Sequence, residues 1–170
     1  FSVSATTRSP REGEVDGREY YFVSRESFEK MIEDGDILEY TTYRDNYYGT
    51  PLKEVKKALN KGKDIILEID VNGAKVVRDK MPEAVSIFIM PPSFTELRRR
   101  LSSRGTDSEQ VVEKRLNAAL GEIEKAVLYD YIVVNDTVDS ASDRIMNIIR
   151  AEHAKTERCI HKYKKLLEVE

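Results

Sequence analysis

The sequence predicts an α/β fold built on a mainly parallel sheet. Three observations lead there. From residue 64 onward, apolar runs of strand length (DIILEID, AVSIFIM, YDYIVVN) alternate with stretches of helical period, the order expected of parallel strands joined by crossover helices. Those runs read as strands buried on both faces. Before residue 64 the order is mixed, with FSVSA, YYFV and ILEYTTY as short extended runs between helical segments.

Taken in order, FSVSA and YYFV read as strands. SRESFEKMIEDGD reads as a helix with Phe28, Met31 and Ile32 on one face, Ser24 as its N-cap and Gly35 as its stop. ILEYTTY is extended and runs into a polar turn at residues 44–46. TPLKEVKKALNKG is expected to be a helix, with Thr50 as cap and Pro51 at its first position. DIILEID follows as a strand, GAKVVRDKM as a helix and AVSIFIM as a second buried strand. The pair Ser93 and Glu96 has the spacing of a capping box at the head of PPSFTELRRRLSSRG, and Thr106 with Glu109 has it again before SEQVVEKRLNAALGEIEKA. YDYIVVN is the last strand, and everything from SASDR to the final residue reads as one long helix.

Composition limits the function classes. With 170 residues, 40% hydrophobic and 35% charged, the chain has single-domain length and enough apolar material for a core. No run approaches the length of a membrane span, and no secretory segment is present. A net charge of −3 gives no global basic field for nucleic acid, so any basic chemistry is local. One cysteine, Cys159, forms no internal disulfide and suits a helix packing position better than a catalytic thiol. Two histidines make no metal cluster. A reducing, cytoplasmic setting is the expectation.

Three constellations carry possible chemistry. In TTRSPR, Arg8 and Arg11 flank a Ser-Pro step that cannot be regular helix, with the Ser4 hydroxyl nearby. Guanidinium forks match phosphate oxygens, although a solvated basic turn has the same pattern. In ILEY and NYYGTP, Glu39 presents two side-by-side acceptors, which match the adjacent N1–H and N2–H₂ donors of guanine; a surface strand glutamate and core tyrosines are the plainer alternative. In RRRLSSRGTDSEQVVEKR, Arg100 and Arg104 share a helical face and Arg115 lies on the next helix. That is either a basic hairpin for a polyphosphate or an ordinary charged surface. Glu68, Asp70 and Asn135 stand at the carboxyl ends of predicted strands, where α/β ligands collect.

The ordered series SVSATTRSPREGEVDGREYYFVS, DNYYGTP, ILEIDVNGA, IFIMPPS, RLSSRGTDSE and YIVVND, spanning residue 1 to about 152, resembles guanylate kinase of the bacterial type. The resemblance implies a P-loop NTPase-like three-layer fold with a mixed GMP-binding lobe at 4–57, a helical lid at 97–127 and a helical extension at 153–170. It implies ATP:GMP phosphotransfer in purine metabolism, with Mg²⁺ accompanying ATP. By position, Ser4, Arg8, Arg11 and Tyr20, with Tyr48 beside them, resemble the ligands of the GMP phosphate. Glu39 and Thr50 resemble guanine readers helped by Asp70, and Glu68 resembles the acidic residue close to GMP. Arg100, Arg104 and Arg115 are similar to the arginines that clamp the transferring phosphoryl group, and Asn135 to a residue near adenine.

The family's glycine-rich loop, G-x-x-x-x-G-K-[ST], does not occur in these 170 residues. With it would come a strand and helix, about 30 residues in all, and the hydroxyl ligand of Mg²⁺. The expectation is therefore a piece of a longer enzyme, inactive as a kinase by itself. A non-catalytic guanylate-kinase-like interaction module is the alternative. The last helix is expected to pack on its own core or on a second subunit.

Overall fold

The computed structural model describes residues 1–103 and 109–163. The chain divides into two compact units, Phe1–Ala84 and Val85–Glu170.

In the first unit the elements are β1 (Ser4–Thr6), β2 (Tyr20–Phe22), α1 (Arg25–Glu33), β3 (Ile37–Tyr43), β4 (Asn46–Pro51), α2 (Leu52–Asn60) and α3 (Val71–Lys80). The strands form one sheet in the order β2-β1-β4-β3. β1 pairs parallel to β2, and the other two pairings are antiparallel. α1 begins where Ser24 accepts from the Ser27 N–H, and it ends ahead of Gly35, whose φ of +73° is a conformation glycine adopts without strain. The β3–β4 turn puts both Arg44 and Asp45 at positive φ, the geometry whose twist suits a two-residue hairpin.

Two expectations are corrected here. Thr50 does not cap α2: β4 runs through Pro51, Pro51 occupies the cap position without a side-chain bond, and the Thr50 hydroxyl is spent on Glu39. Residues 64–70 form no strand and lie in neither sheet, although their burial alternates along the segment. Ile65, Leu67 and Ile69 pack on Leu38, Val55 and Val77, whereas Ile66 and Glu68 face outward. The apolar signal therefore reported one-sided packing. A ladder needs backbone partners as well, and the Ser2 N–H to Ile66 carbonyl bond is a single link. A separate cluster of Ala5, Phe28 and Ile37 fills the space between sheet and α1, with Tyr47 stacked on Phe28 at 5.1 Å between centroids.

In the second unit β5 (Ile87–Met90) and β6 (Tyr131–Val134) pair in parallel, and the Asn135 N–H continues their ladder to the Met90 carbonyl. Between them come α4 (Phe94–Ser102), α5 (Glu109–Ile123) and a 3₁₀ turn (Glu124–Leu128). α6 (Val138–Ala154) and the short α7 (Thr156–Cys159) follow. Ser93 accepts from the Glu96 N–H, but the Glu96 side chain turns to Arg99 and Arg100, so half of the expected capping box forms. The Thr106 half of the second box lies outside the described residues.

The closing helix is not continuous. It breaks at Lys155, whose ψ is 134°. Buried Glu152 accepts from the Tyr131 hydroxyl and pairs with Lys155 at 2.8 Å and Arg158 at 3.3 Å. In an unbroken helix a residue six positions on would face away from Glu152. The break is what brings Arg158 to it. Cys159 is half-buried, with its thiol on the Ala154 carbonyl, while Leu166 and Leu167 of the expected packing face lie outside the described residues. Among the described residues no helix is long and apolar enough to cross a membrane.

Candidate functional site

Strand alternation in β4 sends Tyr47 into the Phe28 cluster and Tyr48 to the opposite face. β3 departs from alternation, because its register against β4 slips between Ile37 and Tyr40. With this bulge Ile37 and Tyr40, three apart, both reach Phe28, Leu38 enters the Val55 and Val77 core, and Glu39 and Thr41 are aimed together at one cleft. The cleft, about 310 Å³, is lined by Ser4, Glu39, Thr41, Tyr48, Gly49, Glu68, Ile69 and Asp70. A larger cavity of about 580 Å³ also touches Glu39, but its walls include Ile37, Leu38, Leu52, Val76 and Met81. Hydroxyls and carboxylates converge on the smaller one, so chemistry, not size, selects it.

Glu39 is 5% exposed, and its Oε1 accepts from the Thr50 hydroxyl at 2.6 Å. Burial pushes its carboxyl pKa above the ordinary value, and the nearby Asp70 carboxylate pushes the same way, while the Thr50 bond and the Lys80 charge oppose them. Lys80 is held close, its Nζ donating to the Leu38 carbonyl at 2.6 Å. Asp70 caps α3 by accepting from the Asn72 and Gly73 N–H groups at 3.0 and 2.8 Å. At Gly73 an added Cβ would stand 2.5 Å from Glu39 Oε2, so the carboxylate rests where only a glycine leaves room. The outcome is a buried acceptor pair whose first oxygen is oriented by a hydroxyl. It suits a planar ligand edge bearing two adjacent donors.

The arginine loop is ordered around a residue that sequence reasoning passed over. Arg8 Nη2 donates to Glu14 Oε1 at 2.9 Å, and the Arg8 guanidinium lies 5.4 Å over the Tyr20 ring and 5.7 Å over that of Phe22. The Glu14 carboxylate, and to a smaller extent the Tyr48 hydroxyl, raise the Arg8 pKa further above its ordinary value. Tyr20 meets Tyr48 edge-on at 5.9 Å, which links the loop to the cleft wall. Arg11 is exposed and joins through its backbone N–H, on Glu14 Oε2 at 2.7 Å.

In the second unit Arg100 is half-buried on α4, with Nε on Glu96 at 2.7 Å and Nη2 on the Asp136 carbonyl at 3.3 Å. Arg99 shares Glu96, and the two guanidinium groups lower the Glu96 pKa to about 2. Arg98 pairs with Glu113 and so clips α4 to α5, the helix that carries half-buried Arg115. Arg104 lies outside the described residues. Asn135 follows β6 beside Asp136, whose carboxyl is held far below its ordinary range by a two-pronged bond to Arg144, at 2.9 and 3.0 Å.

Of the sequence-predicted residues, then, Ser4, Glu39, Tyr48, Glu68 and Asp70 line one cleft. Thr50 joins through Glu39, Tyr20 through Tyr48, and Arg8 through Tyr20. Thr41, Gly73 and Glu14 were missed. Thr41 sits two residues from Glu39, a period-2 signal that would have found it. Glu14 and Gly73 act through contacts across the loop and the fold, which spacing does not reveal.

Comparison with known proteins gives one consistent result. The guanylate kinase family model matches residues 1–152. Guanylate kinase of Halalkalibacterium halodurans is 57% identical over 170 residues, covering all of this chain and 83% of the relative. The Bacillus subtilis guanylate kinase is 51% identical over the same coverage. The crystal structure of guanylate kinase from Anaplasma phagocytophilum superposes with a TM-score of 0.81 at 40% identity, covering 99% of this chain and 85% of that one. A family model spanning most of the chain, relatives above half identity along its whole length and a shared fold all say that the chain belongs to the guanylate kinase family.

Proposed function

We propose that the cleft between β3, β4 and the head of α3 receives the GMP of the reaction this family catalyses. As a guanylate kinase the protein is a transferase that moves the γ-phosphoryl group of ATP to GMP, giving ADP and GDP. One observation carries the placement of GMP: a buried carboxylate, Glu39, faces a polar cleft with one oxygen oriented by Thr50. Guanine presents two donors to it. Adenine offers a bare ring nitrogen at the matching position, a lone pair against a carboxylate.

In this reading Thr50 and Asp70 complete guanine recognition, and Glu68 borders the bound nucleotide. Ser4, Arg8, Arg11, Tyr20 and Tyr48 take the phosphate, with the guanidinium forks supplying charge and the hydroxyls direction. Arg100, Arg104 and Arg115 spread the charge that develops on the transferring phosphoryl oxygens, and Asn135 serves the adenine side. The protein contributes position and electrostatics, since phosphoryl transfer asks for little covalent work from side chains. Mg²⁺ enters with the ATP phosphates. Among the described residues no three His, Cys, Asp or Glu side chains cluster as a metal site. A cytoplasmic location fits the single cysteine and the acidic charge. The interaction-module reading lacks comparable support, because relatives at 51% and 57% identity are themselves guanylate kinases.

The test is a coupled ADP-release assay on the full-length protein with GMP, AMP, CMP and UMP. GMP is expected to be the best acceptor by a wide margin. Equal rates with AMP would sink the reading.

A further inference from the structure

Glu14 lies outside every helix and strand, yet both oxygens of its carboxylate are engaged. Oε1 takes the Arg8 guanidinium at 2.9 Å, and Oε2 takes the Arg11 backbone N–H at 2.7 Å. The Glu14 N–H returns to the Arg11 carbonyl at 3.1 Å, closing a turn over 11–14. Both side chains of the Arg8–Glu14 pair are only 16% exposed. Arg8 is held from other sides too, by the Ser9 carbonyl on Nη1 at 2.7 Å and by the Tyr20 and Phe22 rings beneath it. These bonds take two of its five N–H donors, and the Tyr48 hydroxyl on the cleft wall lies close enough to raise its pKa.

We infer that Glu14 is a positioning residue for phosphate recognition, tying the Arg8 side chain and the backbone of Arg11 into one pre-formed anion cradle. The inference rests on the reading of Arg8 and Arg11 as ligands of the GMP phosphate. A long, freely rotating arginine loses much conformational freedom when it grips an anion, and a partner that fixes it beforehand removes that cost from binding. Glu14 also carries negative charge, which repels a phosphate. Positioning outweighs repulsion here for a geometric reason: Glu14 bonds one N–H of the Arg8 guanidinium and the backbone N–H of Arg11, so it meets the Arg11 side chain through charge alone, the smallest of the causes that lower its own pKa.

Calorimetric titration of the full-length protein with GMP and with guanosine tests this, since only GMP reports on the cradle. Glu14→Ala is expected to weaken GMP about tenfold, the scale of one charge-assisted hydrogen bond, with guanosine unchanged. The near-isosteric Glu14→Gln keeps an acceptor for one of the two donors and is expected to weaken GMP by about threefold, so it carries the test if the alanine variant fails to fold. In an Arg8→Ala background Glu14→Ala should weaken GMP by less than in the parent, since only its hold on the Arg11 backbone is left to lose. GMP binding as tight as wild type in both Glu14 variants overturns the inference, and tighter binding would mark Glu14 as a competitor for the phosphate seat. Equal weakening of GMP and guanosine also overturns it, since that is general structural damage. If Arg8→Ala leaves the preference for GMP over guanosine intact, the phosphate reading of Arg8 fails and this inference falls with it. If Arg8→Ala abolishes the preference and the Glu14 variants keep it, the inference alone falls.

Discussion

Glu39 is asked to be two things at once, a buried side chain and an anion. Desolvation raises its pKa, so the folded protein holds the proton more tightly than the unfolded chain does. The cost of the carboxylate is accordingly absent below the unfolded pKa and fully present once pH has risen past the folded one. Guanine needs the charged form. GMP affinity is therefore expected to fall as pH is lowered through the raised Glu39 pKa, and a flat calorimetric profile in that range would count against the assignment. Glu39→Gln places an amide donor against a guanine donor and should weaken GMP by about tenfold or more while removing this pH dependence. The same change removes a buried charge, so its melting temperature at neutral pH is expected to equal or exceed that of the parent.

At the scale of elements, two glycines separate binding from stability. Gly73 lies in α3, where alanine would ordinarily stabilise by about 1 kcal/mol. Here the new Cβ meets Glu39 Oε2 at 2.5 Å, the far end of a movable side chain. Gly73→Ala is expected to change the melting temperature little and to weaken GMP about tenfold by displacing the carboxylate. Gly49 in β4 differs, because its Cβ would meet the Glu39 carbonyl at 2.8 Å and Tyr40 Cβ at 2.9 Å, atoms that move only with the ladder. Gly49→Ala should cost about 2 kcal/mol in denaturant unfolding. In α4, Glu96 has a depressed pKa, so what it adds to stability is present above about 4.5 and lost as pH falls toward 2. The stabilities of Glu96→Gln and the parent should converge over that range.

For the molecule as a whole, ligand linkage offers a readout that does not depend on turnover. GMP at about a hundred times its Kd should stabilise the native state by about 2.7 kcal/mol. AMP at the same concentration should leave the melting temperature unchanged. Stabilisation by AMP equal to that by GMP would remove base recognition from Glu39. The net charge of −3 belongs to this scale too. It argues against a nucleic-acid surface, yet it does not reveal that Arg8, Arg98, Arg99, Arg100 and Arg144 each have a carboxylate partner. Paired in this way, these five arginines are partly neutralised, and what Arg8 brings to a phosphate is charge delivered through donors whose direction is already fixed.

Much of this was legible residue by residue. Ser24 and Ser93 cap their helices, the turn falls at residues 44 and 45, and α1, α3 and α4 occupy the expected segments, because each of these is settled by hydrogen bonds and sterics within about four residues. The motif order was enough for the family. What only the tertiary structure decided involves partners far apart in sequence: the Thr50 hydroxyl goes to Glu39 and not to a helix cap, and the β3 bulge divides Leu38, Glu39 and Tyr40 among two cores and a cleft. Likewise, residues 64–70 pack without joining a ladder, and Glu152 draws Arg158 back across a broken helix. Local patterns determine which elements form. The free energy of burying Glu39 and Glu152 depends on which distant groups arrive beside them, and that is decided only when the chain packs.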